Sequence, residues 1–466
     1  MTLLDSRPGV AATYDALSRE TGVPIDTAAV VNRLGPPAHQ ELANWFPAEQ
    51  VQTATARYLA LYPQHGVDPT TPLPGAVEAL AAVRRHRGRS VVVTGKHPSN
   101  AELHMSHLDL DIDVVVGGLW GGGKGPALTE HGASLYVGDH VLDVEGARAA
   151  GVTSVGVATG PCSAQELSAA GADVVLADLR EFPAWLDEHL LTSRLADLET
   201  RLREHGRMVV AFSGGADSSL LLAAAVRAVG ADNVVAATAV SGSLPGAELD
   251  AARRFAADLG VRHLTPATHE IERDGYRANA GDRCYFCKAE LLDVLGPVAR
   301  QEGAVPATGT NADDVVAGFR PGIRAAAERG AVTPLRDAGL TKEQVRTASR
   351  RWGLPTWDKP AAACLSSRIA YGVEVTPHRL ARVERAEAAL RSWLGSHGAA
   401  VRDLRVRDLG ERARVEVDPD LVTLVQQSSE ALQVVRAAGF DDVEFDSRGF
   451  RSGSMNEMLA DPERFR

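Results

Sequence analysis

Arg207-Met208-Val209-Val210-Ala211-Phe212-Ser213-Gly214-Gly215-Ala216-Asp217-Ser218-Ser219 decides how this chain is read. An apolar run enters a double glycine and leaves it as a helix expected over Leu220 to Val229. Glycine tolerates backbone angles that turn successive N–H groups toward an anion, and the helix N-terminus adds the positive end of its dipole. Ser213, Gly214, Gly215, Asp217, Ser218 and Ser219 therefore read as a phosphate-holding turn. A Walker loop would place a lysine and a Ser or Thr after its second glycine, and no lysine stands there. A plain strand-to-helix turn would need a glycine but not the complete pattern.

Outward from this turn the chain alternates strand and helix. Strands are expected at 207–212, 233–240, 261–267 and 305–309, and helices at 218–229, 246–259, 286–301 and 341–353. That alternation is the mark of a parallel α/β sheet, with the turn at a strand's carboxyl end, where open sheets bind ligands. An earlier alternation runs to about Leu190, with strands at 90–94, 114–117, 134–138, 152–158 and 174–176. Residues 8–70 are helical and polar and read as an inserted cap. A third unit begins near Thr376, with helices at 379–394 and 419–438 and strands near 401–408, 412–417 and 442–446. The expected divisions are 1–190, a charged helical linker at 191–205, 206–375 and 376–466.

The composition is that of a globular protein: 45% of the 466 residues are hydrophobic and 23% charged. A formal net charge of −11 disfavours a nucleic-acid partner, which usually meets a basic surface. No apolar run is long enough to span a bilayer and no signal-peptide pattern opens the chain, so a cytoplasmic protein without a membrane partner is expected. Four cysteines are too few for a disulfide scaffold in a chain of this length.

Three of those cysteines stand in suggestive places. Cys284 and Cys287 form a CxxC in Arg283-Cys284-Tyr285-Phe286-Cys287-Lys288, and Cys364 opens Cys364-Leu365-Ser366-Ser367-Arg368. A CxxC alone fits a redox pair, half a zinc site or part of an iron–sulfur site. A zinc site lacks an evident fourth ligand, and a redox pair leaves Cys364 unexplained. Three thiolates on a 4Fe–4S cluster would leave one iron open, and three unrelated buried cysteines would need no cofactor.

The Ser213–Ser219 pattern resembles the PP-loop of the ATP pyrophosphatase superfamily, whose members cleave ATP between the α- and β-phosphates and adenylate a substrate. With the cysteine segments, Arg320-Pro321-Gly322, Tyr371-Gly372 and Gly449-Phe450-Arg451-Ser452-Gly453-Ser454-Met455-Asn456, residues 200–460 resemble the LarE-type ATP-dependent sulfur transferases of nickel-pincer nucleotide biosynthesis. The resemblance implies a small-molecule substrate, a pyridinium biscarboxylic acid mononucleotide whose carboxylates are adenylated and then converted to thiocarboxylates. It implies ATP and magnesium, with Asp217 helping to hold the metal and Ser241 near the adenine. One subtype sacrifices the sulfur of a single cysteine before the Ser-Ser-Arg; another carries three cysteines and is proposed to hold a 4Fe–4S cluster. The three-cysteine pattern here favours Cys284, Cys287 and Cys364 on a cluster, with Cys364 as a sacrificial donor the alternative.

An anionic substrate calls for forked cations. Arg368, Arg405, Arg407 and Arg451 are the candidates, with Ser367 as a donor and Glu387 and Glu416 as orienting carboxylates. The bland reading of Arg405 and Arg407 is a solvated strand face. Partners implied are other nickel-pincer biosynthesis proteins, and a homo-oligomer is expected. Other readings are a PP-loop tRNA thiolase and a phosphatase with a regulatory carboxyl half. An amidotransferase-like synthetase lacks a visible glutaminase unit, and a non-catalytic nucleotide sensor would not need intact cysteine motifs.

Residues 1–190 resemble the haloacid dehalogenase-like (HAD) phosphohydrolases. Thr94 ends a strand, Lys124 stands in Gly-Gly-Gly-Lys-Gly, and Asp139 and Asp143 fit the acidic magnesium motif. The family's nucleophile lies in an opening Asp-x-Asp-x-Thr. Met1-Thr2-Leu3-Leu4-Asp5-Ser6 matches only the tail of that motif, so no hydrolase activity is expected of the chain as written.

Overall fold

The computed structural model describes residues 1–316, 326, 328–360, 364–451 and 454–455, and shows two compact units, Met1–Leu190 and Leu191–Arg466. Helix Phe182–His205 contains the boundary, so the expected linker at 191–205 is the second half of a longer helix.

In the first unit, Val91–Val93 pairs in parallel with Val114–Val116, and Leu135–Gly138, Thr153–Val157 and Val174–Leu176 form a second parallel set in that order. Leu4–Asp5 pairs antiparallel with Thr71–Pro72. The expected cap is helical: Arg7–Thr21, Thr27–Asn32, Ala38–Leu42 and Ala48–His65. These helices carry their own apolar cluster, which includes Tyr14, Leu17, Tyr58, Leu61 and Tyr62.

The second unit is built on a four-stranded parallel sheet in the order Arg262–Leu264, Val234–Ala237, Met208–Ala211, Val305–Thr308. From Met208–Ala211 the chain winds outward on one side and then crosses to the other edge. The carboxyl end of Met208–Ala211 is therefore a topological switch point, the position where open α/β sheets leave a crevice for ligands. All four residues of that strand and of Val234–Ala237 are buried, as expected for a sheet covered on both faces. Helix Ala216–Val229 follows the loop; its Leu220, Leu221 and Leu222 are fully buried. Each such leucine contributes about 1.5–3 kcal/mol by burial, so the loop's helix is anchored by core packing.

Leu404–Asp408 pairs antiparallel with Arg412–Val417, which pairs in parallel with Asp442–Phe445. The helix expected at 419–438 is broken into Pro419–Leu421, Val422–Gln426 and Ser429–Ala437, with the Ser428 side chain accepting from Ala431 N at the restart. The core of this region also takes in Tyr276, Leu365, Ile369 and Val375. The cysteine-bearing segments are thus anchored in the same core as the arginine-bearing strand. Among the described residues, no helix is long and apolar enough to cross a membrane.

Candidate functional site

The phosphate loop leaves its strand through Gly214, whose φ of +69° lies in the left-handed region that favours glycine. Its serines knit the turn together. Ser213 N donates to Ser218 Oγ at 3.3 Å, the two hydroxyls lie 3.1 Å apart, and Ser218 Oγ donates to the Gly215 carbonyl at 3.1 Å. Gly309 presses on the helix start; a Cβ there would come within 2.8 Å of Ser218 N. The Ser219 side chain is fully buried, its N–H goes to the Gly215 carbonyl at 3.0 Å, and its hydroxyl meets no hydrogen-bond partner among the described residues.

Two lysines that the sequence reading did not single out reach this loop from far along the chain. Lys342 Nζ bonds Asp217 at 2.5 Å, and Asn311 donates to the other oxygen at 3.1 Å. Lys359 Nζ donates to the Gly214 carbonyl at 3.0 Å and to Glu248 at 2.6 Å. Arg346 fixes that segment by donating to the Lys359 carbonyl at 2.9 Å. The loop has no lysine of its own, but the fold places two beside it. Magnesium fits such a loop: it usually takes one or two carboxylates with substrate phosphates and waters, and Asp217 offers the carboxylate.

Ser241, beyond the second strand, lies against Glu270, a buried carboxylate that also accepts from Ser243 Oγ at 3.0 Å. The Ser243 carbonyl accepts from Leu365 N at 2.9 Å, which fastens the residue after Cys364 to this turn.

The CxxC begins a helix, Arg283–Gln301, three residues earlier than expected. Cys284 and Cys287 consequently stand at i and i+3 on one helical side. Two links bring Cys364 toward them. Tyr276 OH meets Ser366 Oγ at 2.6 Å. Asn279, fully buried at φ +52°, donates to the carbonyls of Ile369, Ala370 and Val373 and accepts from Arg283. Cys284 is exposed, and Cys287 and Cys364 are half-buried. Burial first, then the neighbouring Cys364, Glu270 and Cys284, push the Cys287 thiol up to about 12. Cys287 is therefore in electrostatic reach of each of the other two sulfurs. Among the described residues, however, no three His, Cys, Asp or Glu side chains gather closely enough to hold a metal. As placed, the thiols do not form a cluster cradle.

The arginines crowd the Cys364 turn. Arg368 forks onto Glu387 at 2.9 and 3.2 Å and donates to the Cys364 carbonyl at 3.0 Å. Ser367 Oγ donates to the same carbonyl at 2.7 Å. Arg407 bonds Glu416 at 2.8 and 3.0 Å, Ser454 at 3.1 Å and the Ser367 carbonyl at 3.3 Å. Arg368, Arg407 and Glu416 are buried, so this face is not solvated. Arg405 differs. It donates to the Leu404 carbonyl at 2.8 Å and lies over the Phe450 ring, with no carboxylate in ion-pair reach among the described residues. Burial, then Arg368, lower its pKa. Arg451 lies 3.6 Å from Asp446. Arg320, Pro321, Gly322, Ser452, Gly453 and Asn456 lie outside the described residues.

In the first unit, Lys124 Nζ bonds Asp143 at 2.5 Å and Tyr136 OH at 3.0 Å. Asp143 also accepts from the N–H groups of Asp139 and His140, at 3.1 and 3.2 Å. Asp139 accepts from Thr2 Oγ1 at 2.8 Å. Thr94, the expected strand end, stands just past the strand Val91–Val93 and accepts from Lys96 N at 3.2 Å.

A family model described as haloacid dehalogenase-like hydrolase matches residues 1–157. The chain is 42% identical over 274 residues to an uncharacterized protein of Synechocystis sp., covering 58% of this chain and 99% of that protein. It is 33% identical over 273 residues to pyridinium-3,5-bisthiocarboxylic acid mononucleotide synthase of Lactiplantibacillus plantarum, covering 58% of this chain and 96% of the synthase. The chain belongs to this synthase family. Within the family's PP-loop half it is also 28% identical over 176 residues to the NH(3)-dependent NAD(+) synthetase of Chlorobaculum tepidum, covering 36% of this chain and 61% of that enzyme. This member of the synthase family thus joins a HAD-like unit to an ATP-dependent PP-loop enzyme.

Proposed function

We propose that residues 206–466 adenylate the carboxylates of a pyridinium dicarboxylate mononucleotide and replace carboxylate oxygen with sulfur. A carboxylate is a poor acceptor because its leaving group would be an oxide. Attack of a carboxylate oxygen on the ATP α-phosphorus releases pyrophosphate and makes AMP the leaving group. A sulfur nucleophile then attacks the acyl carbon and AMP departs. Ser213–Ser218 would hold the phosphates, with Asp217 holding a magnesium ion that neutralises charge developing on them.

The observation that carries the sulfur half is the contact between cations and thiol segment. Arg368 donates to the Cys364 carbonyl and Arg407 to the Ser367 carbonyl, with Arg405 beside both. An anionic substrate held by Arg405 would lie next to the Cys364 turn. The sulfur is assigned to the Cys284–Cys287–Cys364 group. A 4Fe–4S cluster there requires the three thiols to close in further than the described side chains do.

The test is anaerobic incubation with ATP, magnesium and pyridinium-3,5-biscarboxylic acid mononucleotide, with products read by mass spectrometry. Exchange of oxygen for sulfur is expected, and adenylate accumulating without it in Cys364→Ala. Iron and sulfide in the protein assign the sulfur to a cluster; dehydroalanine at position 364 assigns it to the cysteine. Full sulfur transfer by Cys364→Ala would overturn the assignment.

A further inference from the structure

We propose that Lys359 is the phosphate-binding cation of the Ser213–Ser219 loop, held in reserve by Glu248 and released to the β- and γ-phosphates that leave as pyrophosphate. The inference rests on the adenylation reading and deepens it. A loop that binds phosphate through its N–H groups is weakened by any carbonyl turned toward the anion. The Gly214 carbonyl is engaged by Lys359 Nζ at 3.0 Å, from 145 positions along the chain. The same ammonium is paired with Glu248 at 2.6 Å. Both side chains of this pair are partly open, at 23% and 28% exposure, so the contact can be exchanged for a ligand.

The neighbouring cation has another task. Lys342 pairs with Asp217 at 2.5 Å and follows the acidic residue of the loop. Lys359 instead stands at the glycine side of the turn, where a Cβ on Gly214 would lie 3.9 Å from its Nζ. Its backbone is clamped, since Arg346 donates to the carbonyls of Trp357 and Lys359 at 3.1 and 2.9 Å. A fixed stem carrying a movable ammonium can follow pyrophosphate as it leaves without rebuilding the loop. A lysine needs only a point-charge contact for this, unlike the planar fork of arginine.

The test is binding of magnesium pyrophosphate to the full chain by titration calorimetry, in wild type, Lys359→Ala, Lys359→Arg and Glu248→Gln. Loss of one charge-assisted contact should weaken binding about ten- to a hundredfold in Lys359→Ala. Lys359→Arg should recover part of it. Glu248→Gln removes the competing carboxylate and should leave binding unchanged or tighter. A merely structural brace would make Lys359→Ala and Glu248→Gln fail alike, and that result overturns the proposal. So does wild-type affinity in a folded Lys359→Ala. If wild type itself binds no pyrophosphate, the adenylation reading falls, and the proposal with it.

Discussion

The two units each hold lysine–carboxylate pairs at their candidate sites, and the pairs differ in burial. In the HAD-like unit, Lys124 and Asp143 are 6% and 10% exposed, and Asp143 carries two further backbone donors. In the PP-loop unit, Lys342 and Asp217 are 39% and 24% exposed. A buried pair with all its groups satisfied is a fixed structural element, because removing one partner leaves an uncompensated charge in a poorly solvated place. A half-exposed pair costs little to open and is available to a ligand. The same two residue types thus serve as a brace in one unit and as an exchangeable contact in the other.

The largest effect expected from this difference is on local stability. Lys124→Ala should cost about 3–5 kcal/mol. It should speed hydrogen exchange in peptides from residues 1–190 and leave the loop peptides unchanged. Lys342→Ala should cost less than about 1 kcal/mol in its own unit. Equal losses in the two variants would erase the distinction.

A second prediction uses the thiols, which differ in exposure within one helical turn. Cys284 is exposed, whereas burial and neighbouring Cys364 hold the Cys287 thiol up at about 12. Alkylation of the metal-free protein, followed by mass spectrometry, should label Cys284 first. The Cys287 rate should keep climbing above pH 9, where ordinary thiols level off, because only the thiolate reacts. A plateau near pH 9 at Cys287 would show that the fold does not raise it.

The smallest effect concerns Lys96 in the HAD-like unit. Its ammonium donates to Tyr62 OH at 2.9 Å and Ser6 Oγ at 3.3 Å, and burial lowers its pKa from 10.5 to about 8. Between those values the unfolded chain binds the proton and the folded one does not. Stability therefore rises with pH across that window. Denaturation midpoints at pH 7.5, 8.5 and 9.5 should show this slope, and Lys96→Met should flatten it.

What the sequence made legible was contiguous. The phosphate loop lies within one strand, turn and helix, so its glycines and serines sit together in the text. The lysines do not: Lys342 and Lys359 arrive from 125 and 145 positions away, and only the winding of the sheet brings them to the loop. Lys359 stands just before the Cys364 segment, yet nothing in its spacing marks a phosphate contact. Adjacency to the loop likewise does not show which side of a helix faces the core, where the Ser219 side chain lies. The arginines were legible as residue types, but their division was not. Only the cross-strand position of Glu416 opposite Arg405, and its bond to Arg407, show that one guanidinium is tied while the other is left facing Phe450. The break at Ser428 escaped notice because an apolar period continues on both sides of it.

The most direct measurement is pyrophosphate release from ATP with the pyridinium dicarboxylate mononucleotide as acceptor, comparing wild type with Asp217→Ala. The account predicts magnesium-dependent release by the wild type that needs the acceptor, and a loss of more than about a hundredfold in the variant while the fold survives. Release at the wild-type rate by Asp217→Ala would contradict it.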